Sequence, residues 1–363
     1  MYPPPGYPPP GYPGYPAPGY PPYPPPGYQG YPGYPGFAPP MVVKPGVIPL
    51  RPLSLSDIFN GAVGYVRANP KATLGLTTIV VVISQLLALI LQVGPLAVTG
   101  DLGVLRGEEA STAALVGSSL SGIAGGLAVG LAAILLSGML TVVVGRSVFG
   151  SSITIGEAWR RVRGRLWPLL GLTALEIIGA LLLIAVVVLI IVGITMAANG
   201  AIAALVGIPL GLGLIVVLVY VLTMLTFAPV AVVLERKPIV ASVRRSFALV
   251  RRHFWRVFGI RLLATFVAGI IAGAVAVPFS IAGQILLFGA ESPGSVVIAT
   301  ILSSIGGAIG QIVTAPFTAG VVVLLYTDIR IRAEAFDLVL HSGAARGPSA
   351  TESTDNLWLT PPS

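Results

Sequence analysis

The chain has 363 residues, of which 55% are hydrophobic and 9% are charged, with a formal net charge of +8. An ordinary soluble domain carries about 25% charged residues, so this composition, with a mean hydropathy of +0.91, excludes a soluble globular protein. The chain contains no cysteine and two histidines, which leaves no disulfide framework, no thiol chemistry and little material for a metal site.

Residues 1–40 are built from Pro-Gly-Tyr-Pro units and contain no charged side chain. Proline fixes φ and removes backbone donors, so we predict a disordered, proline-rich tail over residues 1–45. Proline-rich segments can dock in aromatic grooves at little ordering cost, which makes this tail a candidate for recruiting protein partners. The start of the chain lacks the basic segment and short apolar run of a signal peptide, so we expect the tail to stay where it is synthesised.

Long uncharged stretches predict an all-α membrane domain of six transmembrane helices over residues 46–341. A helix needs about 20 residues to cross a hydrocarbon core of about 30 Å. The predicted spans lie near residues 72–93, 118–145, 168–195, 208–234, 262–283 and 297–327. The uncharged stretch from Ile177 to Leu234 is too long for one helix, and we place a turn from Ala197 through Pro209. Residues 342–363 are predicted to form a second disordered tail.

The charges are divided unequally between the two sides of the predicted bundle. The loops inside the three hairpins contain one basic residue, Arg106, and the other lysines and arginines between and beside the spans lie on the opposite side. The positive-inside rule assigns that side to the cytoplasm. We therefore predict a multi-pass cell-membrane protein with both termini cytoplasmic. Basic residues placed beside apolar spans favour anionic lipid headgroups over nucleic acid as partners.

A short pattern with identical spacing precedes each odd-numbered span. Its three copies are Val66-Arg67 with Gly75-Leu76, Val162-Arg163 with Gly171-Leu172, and Val250-Arg251 with Gly259-Ile260. Each copy follows a stretch with apolar residues three or four positions apart, which is typical of an amphipathic helix. The pattern indicates three units, each an interfacial helix followed by a transmembrane hairpin. Common membrane-entry chemistry is the alternative explanation.

Arginines and aromatic residues occur together in the second and third interfacial helices, a combination suited to the headgroup layer. Two interpretations are open. These residues either anchor the helices in the membrane surface and set the orientation of the chain, or they bind anionic headgroups selectively. The candidate contacts for anionic lipid are Arg160, Arg161, Arg244, Arg245, Arg251 and Arg252.

Glu176 is the candidate intramembrane functional residue. It lies about 13 Å into the third span, where ionisable groups are costly and often functional. The alternative is a structural role as a protonated or hydrogen-bonded carboxyl group that faces Gln85, Gln311 or Arg261.

Glycines four positions apart predict close packing between helices of the bundle. They include Gly122, Gly126 and Gly130 in the second span and Gly306 and Gly310 in the sixth.

Two stretches resemble a known family: Ala228-Pro229 through Glu235 leading into ASVRRSFALVRRHFWRVFG, and LLYTDIRIRAEAFDL at residues 324–338. They are similar to a bacterial membrane family of unassigned function, well represented in actinobacteria. That family is related to the membrane domain attached to glycerophosphodiester phosphodiesterases. The resemblance, over roughly residues 48–340, implies the membrane architecture. It does not imply the phosphodiesterase activity, which belongs to a separate barrel that this chain lacks.

No motif pairs a nucleophile or metal ligands with a general base, so we expect no enzyme activity, no catalytic residues, no metal and no cofactor. The leading interpretation is a non-enzymatic membrane scaffold or adaptor whose cytoplasmic tail recruits partners. The alternative is a transporter or lipid-handling protein with a path past Glu176.

Overall fold

The computed structural model describes residues 46–49, 51–100, 112–197, 200–289, 292–345 and 355–359. The tail predicted over residues 1–45 and the loop that carries Arg106 lie outside these ranges. Within the described ranges the chain is helical without any strand, and six helices are long and apolar enough to cross a membrane. They are Lys71–Val98, Thr112–Ser147, Leu166–Ala197, Ala204–Leu234, Phe254–Phe288 and Pro293–Glu334. The predicted all-α bundle of six membrane-spanning helices is confirmed.

The described residues form eleven α-helices. In chain order they are α1 (Leu55–Ala68), α2 (Leu76–Thr99, preceded by a π-helical turn at Lys71–Gly75), α3 (Thr112–Ser147), α4 (Ile155–Arg163), α5 (Leu166–Ala197), α6 (Gly200–Met224), α7 (Ala228–Leu234), α8 (Ile239–Arg251), α9 (Phe254–Phe288), α10 (Pro293–Glu334) and α11 (Phe336–Ala345).

Three short helices, α1, α4 and α8, precede the odd-numbered spans, as the repeated pattern predicts. Capping boxes at Ser54 and Thr154 start α1 and α4. In each box the cap hydroxyl accepts from the backbone N–H three residues later, and the acidic side chain of that residue accepts from the backbone N–H of the cap. The backbone N–H and hydroxyl of Thr154 hydrogen-bond Glu157 and lower the pKa of that carboxyl group. We call the end of the bundle at which these three helices lie the charged end.

Each short helix packs against an even-numbered span and has a small, fully buried residue at the same position of the pattern: Ala62, Ala158 and Ser246. α1 packs on α10, α4 on α3, and α8 on α7. The last two pairs are neighbours in sequence, whereas α1 and α10 lie at opposite ends of the membrane domain. Their contact therefore closes the three units into a ring.

The core of the protein lies at the charged end. All residues from Gly138 to Phe149 in and after α3 are buried, and so are all residues from Val323 to Ile331 in α10. α7 packs beside α3 and is buried over most of its length. Apolar packing among the ends of the even-numbered spans thus holds the three units together.

The hairpin of α5 and α6 is the part of the bundle most exposed to the surroundings. In each of these spans, none of the 18 residues of the most apolar window is buried. The exposed side chains are aliphatic, including Leu182, Leu189 and Val216. Such a surface fits contact with lipid acyl chains, since all backbone groups are satisfied within the helices.

The predicted glycine packing is present in α10 and absent from the predicted face of α3. A Cβ on Gly306 would lie 2.7 Å from the Cβ of Phe279 in α9, and one on Gly310 would lie 3.2 Å from the carbonyl oxygen of Ala272. By contrast, a Cβ on Gly122, Gly126 or Gly130 would meet no described atom within 4 Å. α2 approaches another face of α3, where a Cβ on Gly125 would lie 3.2 Å from the carbonyl oxygen of Ala88.

The fourth span, predicted as one helix, is interrupted at residues 225–227 between α6 and α7. Pro229 has no N–H to donate and lies in the first turn of α7, so the helical ladder stops before it. Side chains of neighbouring helices satisfy the backbone here. The Ser246 hydroxyl donates to the carbonyl of Met224 (2.5 Å) and accepts from the N–H of Phe227 (3.1 Å).

Candidate functional site

Arg261 of α9 lies beside the interruption in the fourth span. Its Nη1 donates to the carbonyl oxygen of Leu222 (2.9 Å) and to the Thr226 hydroxyl (2.6 Å). Its Nε and Nη2 atoms hydrogen-bond no residue that the structure describes. A guanidinium group has five N–H donors, so one edge of Arg261 remains available for another acceptor.

Arg261 also lines a cavity of about 310 Å³ between α3, α7, α9 and α10. Its polar lining comes from Ser137, Thr141, Thr226, Gln311 and Thr318, together with Arg261. The Thr141 and Thr318 hydroxyls donate to carbonyl oxygens of their own helices, whereas the amide of Gln311 hydrogen-bonds no described residue. Gln311 and Arg261 are thus the groups in this cavity best placed to meet a ligand.

Glu176 lies on the other side of the interruption. It lines a cavity of about 230 Å³ between α5, α6 and α8, whose other walls are mostly aliphatic. Its carboxyl group hydrogen-bonds no residue in the described ranges, and it interacts electrostatically with Arg261 without a direct salt bridge. Of the three partners considered from the sequence, Arg261 is therefore the one that the structure relates to Glu176. The two charges flank the end of α6 from two cavities.

At the charged end, Glu235 is the centre of a buried ionic network. Its side chain is fully buried and pairs with Arg245 (3.1 Å) and Arg330 (3.6 Å), and it accepts a hydrogen bond from the Tyr326 hydroxyl. Arg245 and Arg330 also bind Glu334. Burial lowers the pKa of Arg245, but the hydrogen bonds that it donates to Glu334 and the negative charge of Glu235 outweigh burial and raise the pKa above its ordinary value.

A second buried carboxylate, Asp328, ties the start of α1 to α10. It accepts from the backbone N–H of Leu53 (2.8 Å) and pairs with Arg256 (2.8 Å) and Arg332 (2.9 Å). The stretch LLYTDIRIRAEAFDL, which carries the family resemblance, contains most of the residues of both networks. They are Tyr326, Asp328, Arg330, Arg332 and Glu334.

The six candidate lipid-contact arginines divide into two groups. Arg161 and Arg245 are half-buried and pair with acidic side chains of the protein, Asp355 and Glu235 respectively. Arg160, Arg244, Arg251 and Arg252 are exposed at the charged end. The structure thus leaves these four on the surface, where a headgroup layer could meet them, and pairs the half-buried Arg161 and Arg245 with carboxylates of the protein.

Sequence reasoning missed Arg146 and the segment at residues 355–359, which meet at the charged end. Arg146 had a signal, since it is the one basic residue of an otherwise uncharged second span. Asp355 and Trp358 had none, because their polar surroundings predict a disordered tail. Among the described residues of that predicted tail, Asp355–Leu359 are packed against the bundle, because Trp358 is almost completely buried there.

These features define a polytopic α-helical membrane protein with polar groups inside its bundle and buried ionic networks at one end. The chain belongs to the family described as a domain of unknown function (DUF7847), which matches residues 53–329. The match begins at Leu53, whose N–H binds Asp328, and extends across the six candidate spans into α10. No curated protein and no solved structure matches the chain.

Proposed function

We propose that this protein is a non-enzymatic, lipid-handling membrane protein that binds an anionic amphiphile at Arg261. The observation that carries the proposal is the Arg261 guanidinium, which lines a cavity of about 310 Å³ and hydrogen-bonds described residues through Nη1 alone. A cation inside the apolar part of a bundle is costly unless an anion compensates it. The negative partner within electrostatic reach is Glu176, which forms no salt bridge with it.

The cavity suits a lipid headgroup with part of its chains. Its volume lies at the lower end of the range of small-molecule sites, and its lining combines aliphatic walls with a few polar groups. Interrupted helices at such sites are common in transporters, where freed backbone groups and side chains receive the substrate. The interruption at residues 225–227 therefore supports handling of a ligand over simple anchoring. The negative charge of Glu176 would then weaken anion binding, because it partly compensates the positive charge of Arg261.

The test compares lipid retained by the full chain and its variants after purification in mild detergent. We expect Arg261→Gln to retain about tenfold less anionic phospholipid, the effect of losing one charge-assisted hydrogen-bonded contact. Arg67→Gln is the matched control, because Arg67 is exposed, lies outside the cavity and is not one of the six candidate lipid contacts. Glu176→Gln should retain more anionic lipid than the unmodified chain. Equal retention in the Arg261→Gln and Arg67→Gln variants would contradict the proposal.

A second function is favoured by the uncharged, periodic Pro-Gly-Tyr tail at residues 1–40. We propose that this tail recruits protein partners, which would make the protein a membrane scaffold or adaptor. Its test is affinity purification of the full chain and of a chain that starts at Met41, with mass spectrometry of the proteins recovered. A partner lost with the tail supports the adaptor function, and identical partners for both chains reject it.

The family relationship extends, in this proposal, to bacterial membrane domains attached to glycerophosphodiester phosphodiesterases. Residues 228–259 and 324–338 carry that resemblance, and they build the ionic networks of the charged end. The shared feature would be the membrane architecture without the phosphodiesterase chemistry. We further propose that the protein resides in the plasma membrane with its charged end toward the cytoplasm.

A further inference from the structure

Residues Asp355–Leu359 are anchored at the charged end by Trp358. The Trp358 side chain is 2% exposed and packs against the rings of Phe149 (centroids 5.7 Å apart) and Phe336 (5.2 Å). Its carbonyl oxygen accepts a hydrogen bond from Nη1 of Arg330 (3.1 Å). One aromatic side chain thus holds a short polar segment in a fixed position on the bundle.

The anchor places the carboxylate of Asp355 on Arg146 of α3. Arg146 Nε lies 3.2 Å from Oδ1 and Nη2 lies 3.4 Å from Oδ2, so both oxygens face the same guanidinium edge. Asp355 also contacts Arg161 of α4. This two-point arrangement is the geometry in which arginine binds carboxylate or phosphate groups.

The carboxylate occupies a basic pocket, which we define by Arg146, Arg161, Arg165 and Arg236. The pocket has a volume of about 270 Å³ and is closed at its base by apolar residues of α3 and α7. Glu157 lines a neighbouring cavity and is engaged in the capping box of α4. Four arginines thus line the pocket with Asp355 as its acidic residue, and two of them, Arg146 and Arg161, contact the Asp355 carboxylate. Burial, followed by the charges of Arg146 and Arg236, lowers the pKa of Arg161.

The backbone of Arg236 ends α7 in an unusual conformation for arginine. Its φ of 55° lies in the left-handed region, which glycine and asparagine adopt more readily than arginine. A left-handed residue directly after the C-cap is a common way to end a helix, and glycine is the usual residue there. Here the strained turn after α7 brings an exposed guanidinium to the mouth of the pocket.

We infer that the basic pocket binds a phosphate group, and that Asp355 occupies the phosphate position until such a ligand displaces the Trp358-anchored segment. A phosphate monoester carries more negative charge and more acceptor oxygens than a carboxylate, so it matches four arginines better than Asp355 does. The phosphate can belong to a lipid headgroup or to a soluble molecule. This inference is independent of the site at Arg261, which lies in another cavity.

The experiment titrates the detergent-solubilised full chain with dioctanoyl phosphatidic acid and with glycerol 3-phosphate, and measures affinity by microscale thermophoresis. Removing an internal competitor that fills the pocket about nine-tenths of the time strengthens apparent binding about tenfold. We expect this gain in Trp358→Ala and in Asp355→Asn, the second of which keeps the anchor. If these variants bind phosphatidic acid more tightly but not glycerol 3-phosphate, the ligand is a lipid. If they bind both more tightly, a soluble phosphate compound is sufficient for binding.

Two further variants show whether the pocket is the binding site. Arg236→Gly removes a charge while relieving the backbone strain, so it should lose binding without losing thermal stability. Arg161→Gln should also abolish the gain seen in Asp355→Asn, whereas Arg261→Gln should leave it intact. The inference is overturned if neither ligand binds Trp358→Ala or Asp355→Asn more tightly than the unmodified chain. It is also overturned if the gain survives Arg236→Gly combined with Arg161→Gln.

Discussion

At the scale of single residues, Glu235 is the group on which the charged end depends most. Its side chain is fully buried, and it is the shared partner of Arg245, Arg330 and the Tyr326 hydroxyl. Removing one partner of a buried ion pair leaves uncompensated charge, which costs far more than the pair itself contributes. The network is therefore a requirement of the fold even if its net contribution to stability is small.

We expect Glu235→Gln to lower the free energy of unfolding by about 3–5 kcal/mol, the usual cost of breaking a buried ion pair. Thermal unfolding in detergent measures this loss. Glu334→Gln is the matched control, because Glu334 binds the same Arg245 and Arg330 but is 28% exposed. Its loss should be about 1 kcal/mol, as for solvent-exposed pairs. Equal losses in the two variants would show that burial does not determine the cost.

Sequence reasoning named the arginines of this region as a group but could not predict the surroundings of each one. Arg244 and Arg245 are adjacent and chemically identical, yet one is exposed and the other is paired with a buried carboxylate. Successive residues of a helix point about 100° apart, so the outcome depends on which face meets α10, and composition does not specify that face. Glu176 could be singled out from the sequence because a lone carboxyl group in an apolar span is unusual whichever face of the helix carries it.

At the scale of elements, contact between α1 and α10 closes the ring of three units. Gly320 is a point of close approach: a Cβ there would lie 2.6 Å from the Cε1 atom of Tyr65 and 3.1 Å from the Cβ of Ala62. The Tyr65 hydroxyl also donates to the carbonyl oxygen of Pro316, and burial raises the pKa of Tyr65. A side chain at position 320 would therefore separate the two helices.

We expect Gly320→Ala to destabilise the protein by about 1–3 kcal/mol, the cost of overpacking a filled interface. Gly307→Ala, in the same helix, provides the control, since a Cβ on Gly307 would meet no described atom within 4 Å. That change should be neutral or stabilising by up to about 1 kcal/mol, because alanine favours the helix more than glycine does. The measurement is again thermal unfolding in detergent, and a loss at position 307 as large as that at 320 would contradict the assigned contact.

Helix number and the three short helices followed from hydrophobic periodicity, whereas the interruption and the packing partners did not. Glycine spacing shows where a backbone can be approached and not which neighbour approaches it, so Gly125 was missed beside the open Gly122 and Gly126. The break at residues 225–227 depends on Ser246 and Arg261, which satisfy the freed carbonyl groups from other helices. Such long-range compensation leaves no local mark in the sequence.

At the scale of the whole membrane domain, packing and charge are concentrated at one end. Every lysine and arginine of the described residues lies at the charged end, except Arg261 inside the bundle, and the described residues of the opposite end carry no charge. The ends of the even-numbered spans are buried there, while α5 and α6 expose apolar side chains. The charged end is thus the most extensively buried part of the domain, from which the apolar hairpins extend.

This asymmetry predicts the orientation of the protein in the membrane, with the charged end toward the cytoplasm, because translocating many basic residues is unfavourable. The chain has no cysteine, so single-cysteine labelling needs no background substitution. Gly156 and Gly294 are a matched pair: both are exposed, and each is the second residue of a helix, in α4 at the charged end and in α10 at the opposite end.

A Cβ on Gly156 would meet no described atom within 4 Å, and one on Gly294 would meet the Ser292 hydroxyl at 3.9 Å, so both sites accept cysteine without strain. A membrane-impermeant maleimide should label Gly294→Cys on intact cells. It should label Gly156→Cys only after the cells are permeabilised. The reverse pattern would place the basic pocket and the four exposed arginines outside the cell. Anionic lipids of the inner leaflet would then no longer be available to them, and the phosphate ligand would have to come from the other side of the membrane.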